Sequence, residues 1–198
     1  MSTVSDKRLS QDSAYYEDFH TEEELHRYNE GLYAARNRIV LDHLSSMLPE
    51  QSHVLDLAAG SWYIAYRLLK DDRVASYTWN DFNPKLVKLV KRRLSDSRFY
   101  VDPFDADDSE CSLDEFNVFI CISLEHVEKD LEIISKLKPG TIISICSPNF
   151  DCDGHVRHFE SIQDFKSRYE TAMSIEQESI FKHGDSGRLK YVITGVKL

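Results

Sequence analysis

Residues 54–62 read VLDLAAGSW, an apolar segment that runs into small residues. The apolar part is typical of a strand that is buried on both faces of a sheet. Gly60 and its small neighbours allow a ligand to approach the backbone closely, and Ser61 can cap a helix whose N-terminal amides then face that ligand. The segment therefore predicts a strand, a ligand-binding loop and a helix in succession.

Apolar runs of the same kind recur along the chain and alternate with helical patterns. The predicted strands cover residues 53–58, 75–79, 117–123 and 141–147, and the predicted helices between them cover residues 62–70, 84–94 and 125–137. Strand, helix and strand repeated in this way predict right-handed crossovers, a parallel sheet and helices on both of its faces. We therefore expect an α/β protein.

The C-terminal part follows a different pattern. Residues 174–181 and 189–198 alternate between apolar and polar side chains, and the turn-forming stretch HGDSG at residues 183–187 separates them. This pattern predicts an antiparallel hairpin that is added to the parallel sheet. About seven strands are expected in total, in a Rossmann-like, mostly parallel sheet that ends in an antiparallel C-terminal hairpin.

Composition and charge limit the class of protein. The 198 residues include 34 acidic and 24 basic side chains, and the net charge of −10 disfavours nucleic acid as a partner over most of the surface. No apolar run approaches the roughly 18–20 residues of a membrane span, and residues 1–13 lack the apolar core of a signal peptide. We expect a cytoplasmic monomer or homodimer with a flexible segment at residues 1–20 and a single domain at residues 21–198.

Two acidic residues at strand ends indicate the kind of ligand. Asp81 ends the second predicted strand, at the position where an acid accepts hydrogen bonds from both hydroxyls of a ribose. Asp56 ends the first strand and suits a ligand with an amino group better than one with a phosphate. The chain also lacks the G-x-G-x-x-G and G-x-x-x-x-G-K-[ST] phosphate-binding patterns. A nucleoside without phosphate groups is therefore expected.

Five motifs in this order resemble those of class I S-adenosylmethionine-dependent methyltransferases of the small-molecule type. They are residues 54–60, Asp81, FDAD at residues 104–107, residues 116–127 with SLEHV at their end, and LKPGT at residues 137–141. Two later stretches, SPN at residues 147–149 and GHVRHF at residues 154–159, resemble the segment that closes over the substrate. The resemblance covers about residues 28–198. It implies S-adenosyl-L-methionine as the cofactor and methyl transfer to a small molecule as the function.

The resemblance also implies which residues contact the cofactor. Asp81 would bind the ribose, and Asp105 with the following backbone amide would bind the adenine. Helices at residues 21–48 would cover the cofactor and substrate, with Arg36 reaching the methionine carboxylate and Tyr16 becoming ordered on binding. The complete predicted cofactor set is Tyr16, Arg36, Asp56, Ala58, Gly60, Trp62, Asp81, Phe82, Asp105, Ala106, Cys121 and Ile122.

The first motif departs from the family pattern at two positions. Ala58 and Trp62 stand where the first and third glycines usually lie. Alanine is a mild change, but the indole of Trp62 has two alternative places: it lines the methionine pocket, or it packs against the sheet. A ring that filled the pocket would leave a non-catalytic S-adenosylmethionine-binding domain, which stays as an alternative.

Methyl transfer to a hydroxyl requires an in-line approach of the acceptor and removal of its proton. The base should titrate near neutrality, which indicates histidine. His126, His155 and His158 follow the carboxyl ends of predicted strands, and we predict that His126 or His155 lies beside the acceptor. The expected reaction is methylation of a small molecule at oxygen.

An RNA acceptor and a metal site are two further possibilities that the sequence raises. An RNA methyltransferase is supported only by the basic face of the helix at residues 84–94, around Lys88 and Arg92. A metal site is suggested by Glu125 and the nearby histidines, because magnesium-dependent RNA 3′-terminal methyltransferases resemble the chain here. Their pattern places a glutamate three residues before the Glu-His pair, where this chain has Ile122, and a hard cation thus lacks an oxygen ligand. No metal is therefore expected.

Overall fold

The computed structural model describes residues 34–81, 83–103, 112–183 and 187–198. Its helices are α1 (Ala34–Met47), α2 (Tyr63–Leu68), α3 (Pro84–Arg93), α4 (Asp130–Ser135) and α5 (Ile162–Tyr169), with a 3-10 turn at Leu124–His126. Its strands are β1 (Ser52–Asp56), β2 (Val74–Trp79), β3 (Phe99–Val101), β4 (Val118–Cys121), β5 (Ile142–Pro148), β6 (Met173–Lys182) and β7 (Leu189–Lys197). Within these ranges, no helix is long and apolar enough to cross a membrane. The predicted cofactor residues Tyr16, Phe82, Asp105 and Ala106 lie outside the described residues, as does the predicted flexible segment at residues 1–20.

The seven strands form one sheet in the order β3-β2-β1-β4-β5-β7-β6. The first five strands in this order run parallel, and β7 runs antiparallel to both β5 and β6. The predicted Rossmann-like sheet with an antiparallel C-terminal hairpin is confirmed. The strand order reverses between β1 and β4, where Asp56 lies opposite Ile120. Ligands of such sheets bind outside the carboxyl ends of the strands at this point.

Each face of the sheet has its own apolar core. Val54 of β1 belongs to one cluster together with side chains of α1, α2 and α3, whereas Leu55 belongs to the other together with side chains of α4 and α5. A strand that is buried on both faces has no polar side to alternate with the apolar one. This double burial explains why the central strands appear in the sequence as continuous apolar runs.

Polar contacts hold α1 on the C-terminal hairpin. His43 is buried, and its ring nitrogens lie 3.1 Å from Oγ1 of Thr194 and 3.0 Å from Oγ of Ser179. These contacts fix α1 over β6 and β7. The same helix brings the buried guanidinium of Arg36 into electrostatic range of Asp56 at the end of β1.

The predicted helix at residues 125–137 consists of two elements. Val127 has an extended backbone (φ −100°, ψ 112°), which separates the 3-10 turn from α4. The carbonyl of Glu125 accepts a hydrogen bond from the backbone amide of Val156 at 2.8 Å, so it contributes to a loop contact in place of a helical one. The prediction of one continuous helix is therefore wrong, and the break is what lets the loop after β5 join this region.

Candidate active site

Asp56 ends β1 and is fully buried. Its Oδ2 accepts a hydrogen bond from the hydroxyl of Tyr77 at 2.6 Å, and its Oδ1 has no hydrogen-bond partner among the described residues. Burial raises the pKa of Asp56 to about 7, although the Tyr77 hydrogen bond and the charge of Arg36 act in the opposite direction. A buried oxygen without a partner is costly, so the position suits a ligand that donates a hydrogen bond or carries positive charge.

The loop after β1 has a backbone that usually requires glycine. Ala58 (φ 50°) and Gly60 (φ 63°) both lie in the left-handed region, which glycine occupies readily and alanine only at a cost. Between them, the amide of Ala59 donates a hydrogen bond to the carbonyl of Asn80 at 2.9 Å. The chain therefore builds the loop shape of a glycine-rich motif without a glycine at its first position.

Asp81 follows β2 and connects this loop to the start of α3. Its Oδ2 accepts a hydrogen bond from the backbone amide of Gly60 at 3.0 Å, and its Oδ1 accepts one from the amide of Asn83 at 2.9 Å. The side chain is buried. The predicted ribose-binding acid thus lies directly against the predicted cofactor loop, and the loops after β1 and β2 form one unit.

Trp62 packs in the apolar core. It immediately precedes α2, is 8% exposed, and belongs to the cluster that includes Val40, Leu44 and Trp79. Of the two places predicted for its ring, packing is the one that agrees with this burial. Contact between Trp62 and a cofactor stays a prediction.

Three other predicted cofactor residues are buried at the same edge of the sheet. Cys121 ends β4 and Ile122 follows it, and their side chains belong to the clusters on opposite faces. Burial raises the pKa of the Cys121 thiol well above its ordinary value, so the thiol stays protonated. Arg36 is also buried. Its charge lies near both Asp56 and Cys146.

The two predicted catalytic histidines lie together. The rings of His126 and His155 meet edge to face with their centroids 5.1 Å apart. Nδ1 of His126 lies 3.1 Å from the carbonyl oxygen of Gly154, and Nδ1 of His155 lies 3.2 Å from that of Phe150. A carbonyl only accepts hydrogen bonds, so each Nδ1 carries a proton. Nε2 of His155 lies 3.0 Å from the thiol sulfur of Cys152. Burial lowers the pKa of His155, which keeps its imidazole neutral at physiological pH.

The loop at residues 149–159 is what brings these histidines together. Besides the bond between Val156 and Glu125, Nη2 of Arg157 donates to the carbonyl of Glu128 at 2.7 Å. The Arg157 guanidinium also pairs with Asp130, which is almost fully buried. The third candidate, His158, is exposed on this loop. The loop is therefore held closely against the 3-10 turn and α4.

A buried ion pair beside the histidines was not predicted as part of the site. Nζ of Lys190 on β7 lies 2.8 Å from Oε1 of Glu125, and both side chains are less than 7% exposed. Burial alone would raise the pKa of Glu125, but the charges of Lys190 and His126 outweigh it and lower that pKa. Glu125 is thus a buried carboxylate. Lys190 lies on the buried part of the strand at residues 189–197, where a charged side chain needs a partner.

His183 follows β6 at the turn of the C-terminal hairpin and was not predicted as part of the site. Its ring stacks on Phe150 with the centroids 5.6 Å apart. Burial and the charge of Lys190 lower the pKa of His183 to about 4, so this ring is neutral as well. The carboxyl ends of β4, β5 and β6 therefore bring three imidazoles together beside one buried ion pair.

Comparison with solved structures identifies the fold. The N-methyltransferase NodS of Bradyrhizobium japonicum WM9, solved with S-adenosylhomocysteine, is similar with a TM-score of 0.71 at 14% identity, over 93% of this chain and 97% of that one. The 1,6-didemethyltoxoflavin-N1-methyltransferase of Burkholderia thailandensis is similar with a TM-score of 0.69 at 15% identity, over 100% and 91% of the two chains. A complex of the Haloferax volcanii Trm112 methyltransferase activator with a methyltransferase matches with a TM-score of 0.62 at 14% identity, over 85% and 97%.

No protein-family model matches the chain, and no curated protein matches its sequence. The likeness to solved structures is one of fold, at identities of about one residue in seven. The chain thus has the fold of class I S-adenosylmethionine-dependent methyltransferases, as the sequence motifs indicate.

Proposed function

We propose that the protein is an S-adenosylmethionine-dependent methyltransferase that acts on a small-molecule acceptor. The hydrogen bond between Gly60 and Asp81 carries this proposal, because it unites a left-handed loop after β1 with an acid after β2. Both parts lie where the strand order reverses, which is the ligand-binding position in this class of sheet. Solved structures of similar fold include several methyltransferases and also the [4+2]-cyclase SpnF, and NodS was solved with S-adenosylhomocysteine.

The described residues fit S-adenosylmethionine. Asp81 would accept hydrogen bonds from the ribose hydroxyls, and the unpartnered Oδ1 of Asp56 would accept one from the amino group of the methionine part. The buried Arg36 would neutralise the methionine carboxylate, and Asp105 and Ala106 would hold the adenine, as the resemblance implies. When bound, this cofactor supplies an electrophilic methyl group.

His126 and His155 are proposed to form the acceptor side of the site. Burial keeps His155 neutral, so its Nε2, which lies 3.0 Å from the Cys152 thiol, can take a proton from a hydroxyl acceptor, and the ring of His126 lies beside it. This chemistry favours oxygen as the methylated atom. NodS and the toxoflavin enzyme are named as N-methyltransferases, so the preference for oxygen rests on the two histidines alone.

Charge favours a small acceptor over RNA. The net charge of −10 opposes binding of a polyanion. Among the described side chains of α3, the exposed basic ones are Lys88, Lys91, Arg92 and Arg93. These cations lie in the last two turns of α3, where they also complement the negative end of the helix dipole. An RNA acceptor and a non-catalytic S-adenosylmethionine-binding domain remain the alternatives to be tested.

A labelling experiment tests the proposal. The full-length protein is incubated with S-adenosylmethionine that carries a labelled methyl group, together with either the small-molecule or the RNA fraction of a cell extract. We expect label in small molecules at both low and high salt, and a roughly 10²–10⁴-fold loss in the His126→Ala and His155→Ala variants. Transfer to RNA only, or full turnover in both variants, would overturn it. Binding of S-adenosylhomocysteine without any transfer would favour the non-catalytic alternative.

A further inference from the structure

We propose that Glu125, His126 and His155 form a binding site for a divalent transition-metal ion such as Zn²⁺. One donor atom from each of the three side chains lies within 4.8 Å of the donor atoms of the other two. In a tetrahedral zinc site the donors are roughly 3.4 Å apart, as bonds of about 2.1 Å require. Side-chain adjustments of about 1 Å would therefore complete the site.

The carboxylate of Glu125 is the first reason to place a cation here. Lys190 donates to Oε1, but the buried Oε2 has no hydrogen-bond partner in the part of the chain that the structure describes. A buried, ionised oxygen without a partner is strongly unfavourable. A cation between Glu125 and the two imidazoles would satisfy Oε2, and Lys190 would keep the carboxylate in a one-oxygen binding mode.

The two histidines have the orientation of metal ligands. Metal-binding histidines usually donate their second ring N–H to a carboxylate or a backbone carbonyl, which fixes the ring and its tautomer. Nδ1 of His126 and Nδ1 of His155 make this contact with the carbonyls of Gly154 and Phe150. Nε2 is therefore the atom that each ring would offer to a metal. At His155 the metal would displace the thiol of Cys152, which lies 3.0 Å from that Nε2.

The donor set selects the type of metal. Two imidazole nitrogens and one carboxylate oxygen are ligands typical of zinc, whereas magnesium prefers oxygen ligands throughout. The expectation of no metal rests on Ile122, which removes an oxygen ligand for a hard cation, and that reasoning does not apply to a nitrogen-rich site. Three protein ligands also leave one coordination position open, as in catalytic zinc sites.

A metal at this place would refine the role of the two histidines. They would hold the ion, and the charge of the ion would lower the pKa of a hydroxyl acceptor that occupies the open position. Only this last step rests on the proposed function. Metal binding itself does not depend on whether the protein transfers a methyl group.

Titration with Zn²⁺ alone tests the site. The full-length protein is treated with a chelator, exchanged into chelator-free buffer and titrated calorimetrically, with circular dichroism of each variant as a check of folding. We expect one Zn²⁺ per chain and roughly 100-fold weaker binding in His126→Ala and His155→Ala, since even loss of an indirect partner costs about 10–100-fold. The matched control is His158→Ala on the same loop, which should keep wild-type affinity.

Two results would overturn the site: no stoichiometric Zn²⁺ binding to the folded wild type, or equal affinity in the wild type and the His155→Ala variant. His155 is half-buried on a loop, so this variant is expected to fold even if Glu125→Gln does not. The absorption spectrum of the Co²⁺-loaded wild type gives a second measurement, and bands of tetrahedral Co²⁺ are expected. Titration of the same samples with S-adenosylhomocysteine separates failure of the metal site from failure of the proposed cofactor site.

Discussion

Oδ2 of Asp81 and the backbone amide of Gly60 form a hydrogen bond of 3.0 Å that joins the loops after β1 and β2. A carboxylate oxygen has two lone pairs, so the bond to Gly60 is compatible with the proposed hydrogen bond from a ribose hydroxyl. The amide fixes the direction of the carboxylate without help from a ligand. We infer that the site is preorganised, because little conformational freedom remains to be lost on binding.

Ala58→Gly should stabilise the protein. The left-handed backbone at Ala58 (φ 50°) costs an alanine about 1–2 kcal/mol, and glycine removes that cost while adding about 0.4–1 kcal/mol of unfolded-state entropy. We expect a net gain of roughly 0.5–1 kcal/mol in the free energy of unfolding, measured with urea. Gln51 has the same backbone strain (φ 57°) in a turn before β1, so Gln51→Gly should change stability in the same direction if strain is the cause. A loss of stability in Ala58→Gly would show that the methyl group of Ala58 contributes packing that outweighs the strain.

Asp56 should make stability depend on pH. Its pKa is raised to about 7 by burial, whereas the pKa of an unfolded aspartate is about 3.9. Between these values the folded state holds a proton that the unfolded state lacks, so the contribution of Asp56 to stability is present in acid and is lost as the pH rises towards 7. Relative to Asp56→Asn, the wild type should lose up to about 1.4 kcal/mol per pH unit between pH 4 and 7. A constant difference between the two proteins across this range would contradict the assignment.

The fold was predictable because its central strands are buried on both faces. Val54 and Leu55 belong to opposite apolar cores, and such strands appear as short apolar runs that are separated by helical periods. β3 and α5 have no counterpart in the sequence prediction: β3 has three residues, too few to show a period, and α5 is a short helix in which Phe165 and Tyr169 are the buried residues. The break at Val127 depends on Val156, which lies on a distant loop, so local patterns contain no sign of it.

Asp130→Ala should destabilise the protein and release the loop after β5. The nearly buried carboxylate of Asp130 pairs with Arg157 and Arg168 and accepts a hydrogen bond from the hydroxyl of Tyr169. Removal of one partner from a buried ion pair typically costs about 3–5 kcal/mol, because the remaining charges stay desolvated. Urea unfolding should show a loss of this size, and limited proteolysis should show faster cleavage at residues 149–159. Asp114→Ala, at an exposed acid, is the control and should leave both measurements unchanged.

The candidate site was predictable where its residues follow strand ends. Asp56, Asp81 and the pair of His126 and His155 lie near the carboxyl edge of the sheet because the topology brings the ends of parallel strands together there. Lys190 could not be assigned to Glu125 in the same way. It lies on an antiparallel strand whose register against β5 depends on the whole hairpin, and a single sequence does not specify that pairing.

Calorimetric titration of the full-length protein with S-adenosylhomocysteine tests the proposed cofactor site most directly. The wild type should bind one molecule per chain, and Asp81→Asn should bind roughly 10–100-fold more weakly, because hydrogen bonds to a charged group contribute about 1.5–3 kcal/mol. Asp114→Asn should bind like the wild type. No binding to the folded wild type, or equal affinity in the wild type and Asp81→Asn, would contradict a nucleoside site between the loops after β1 and β2.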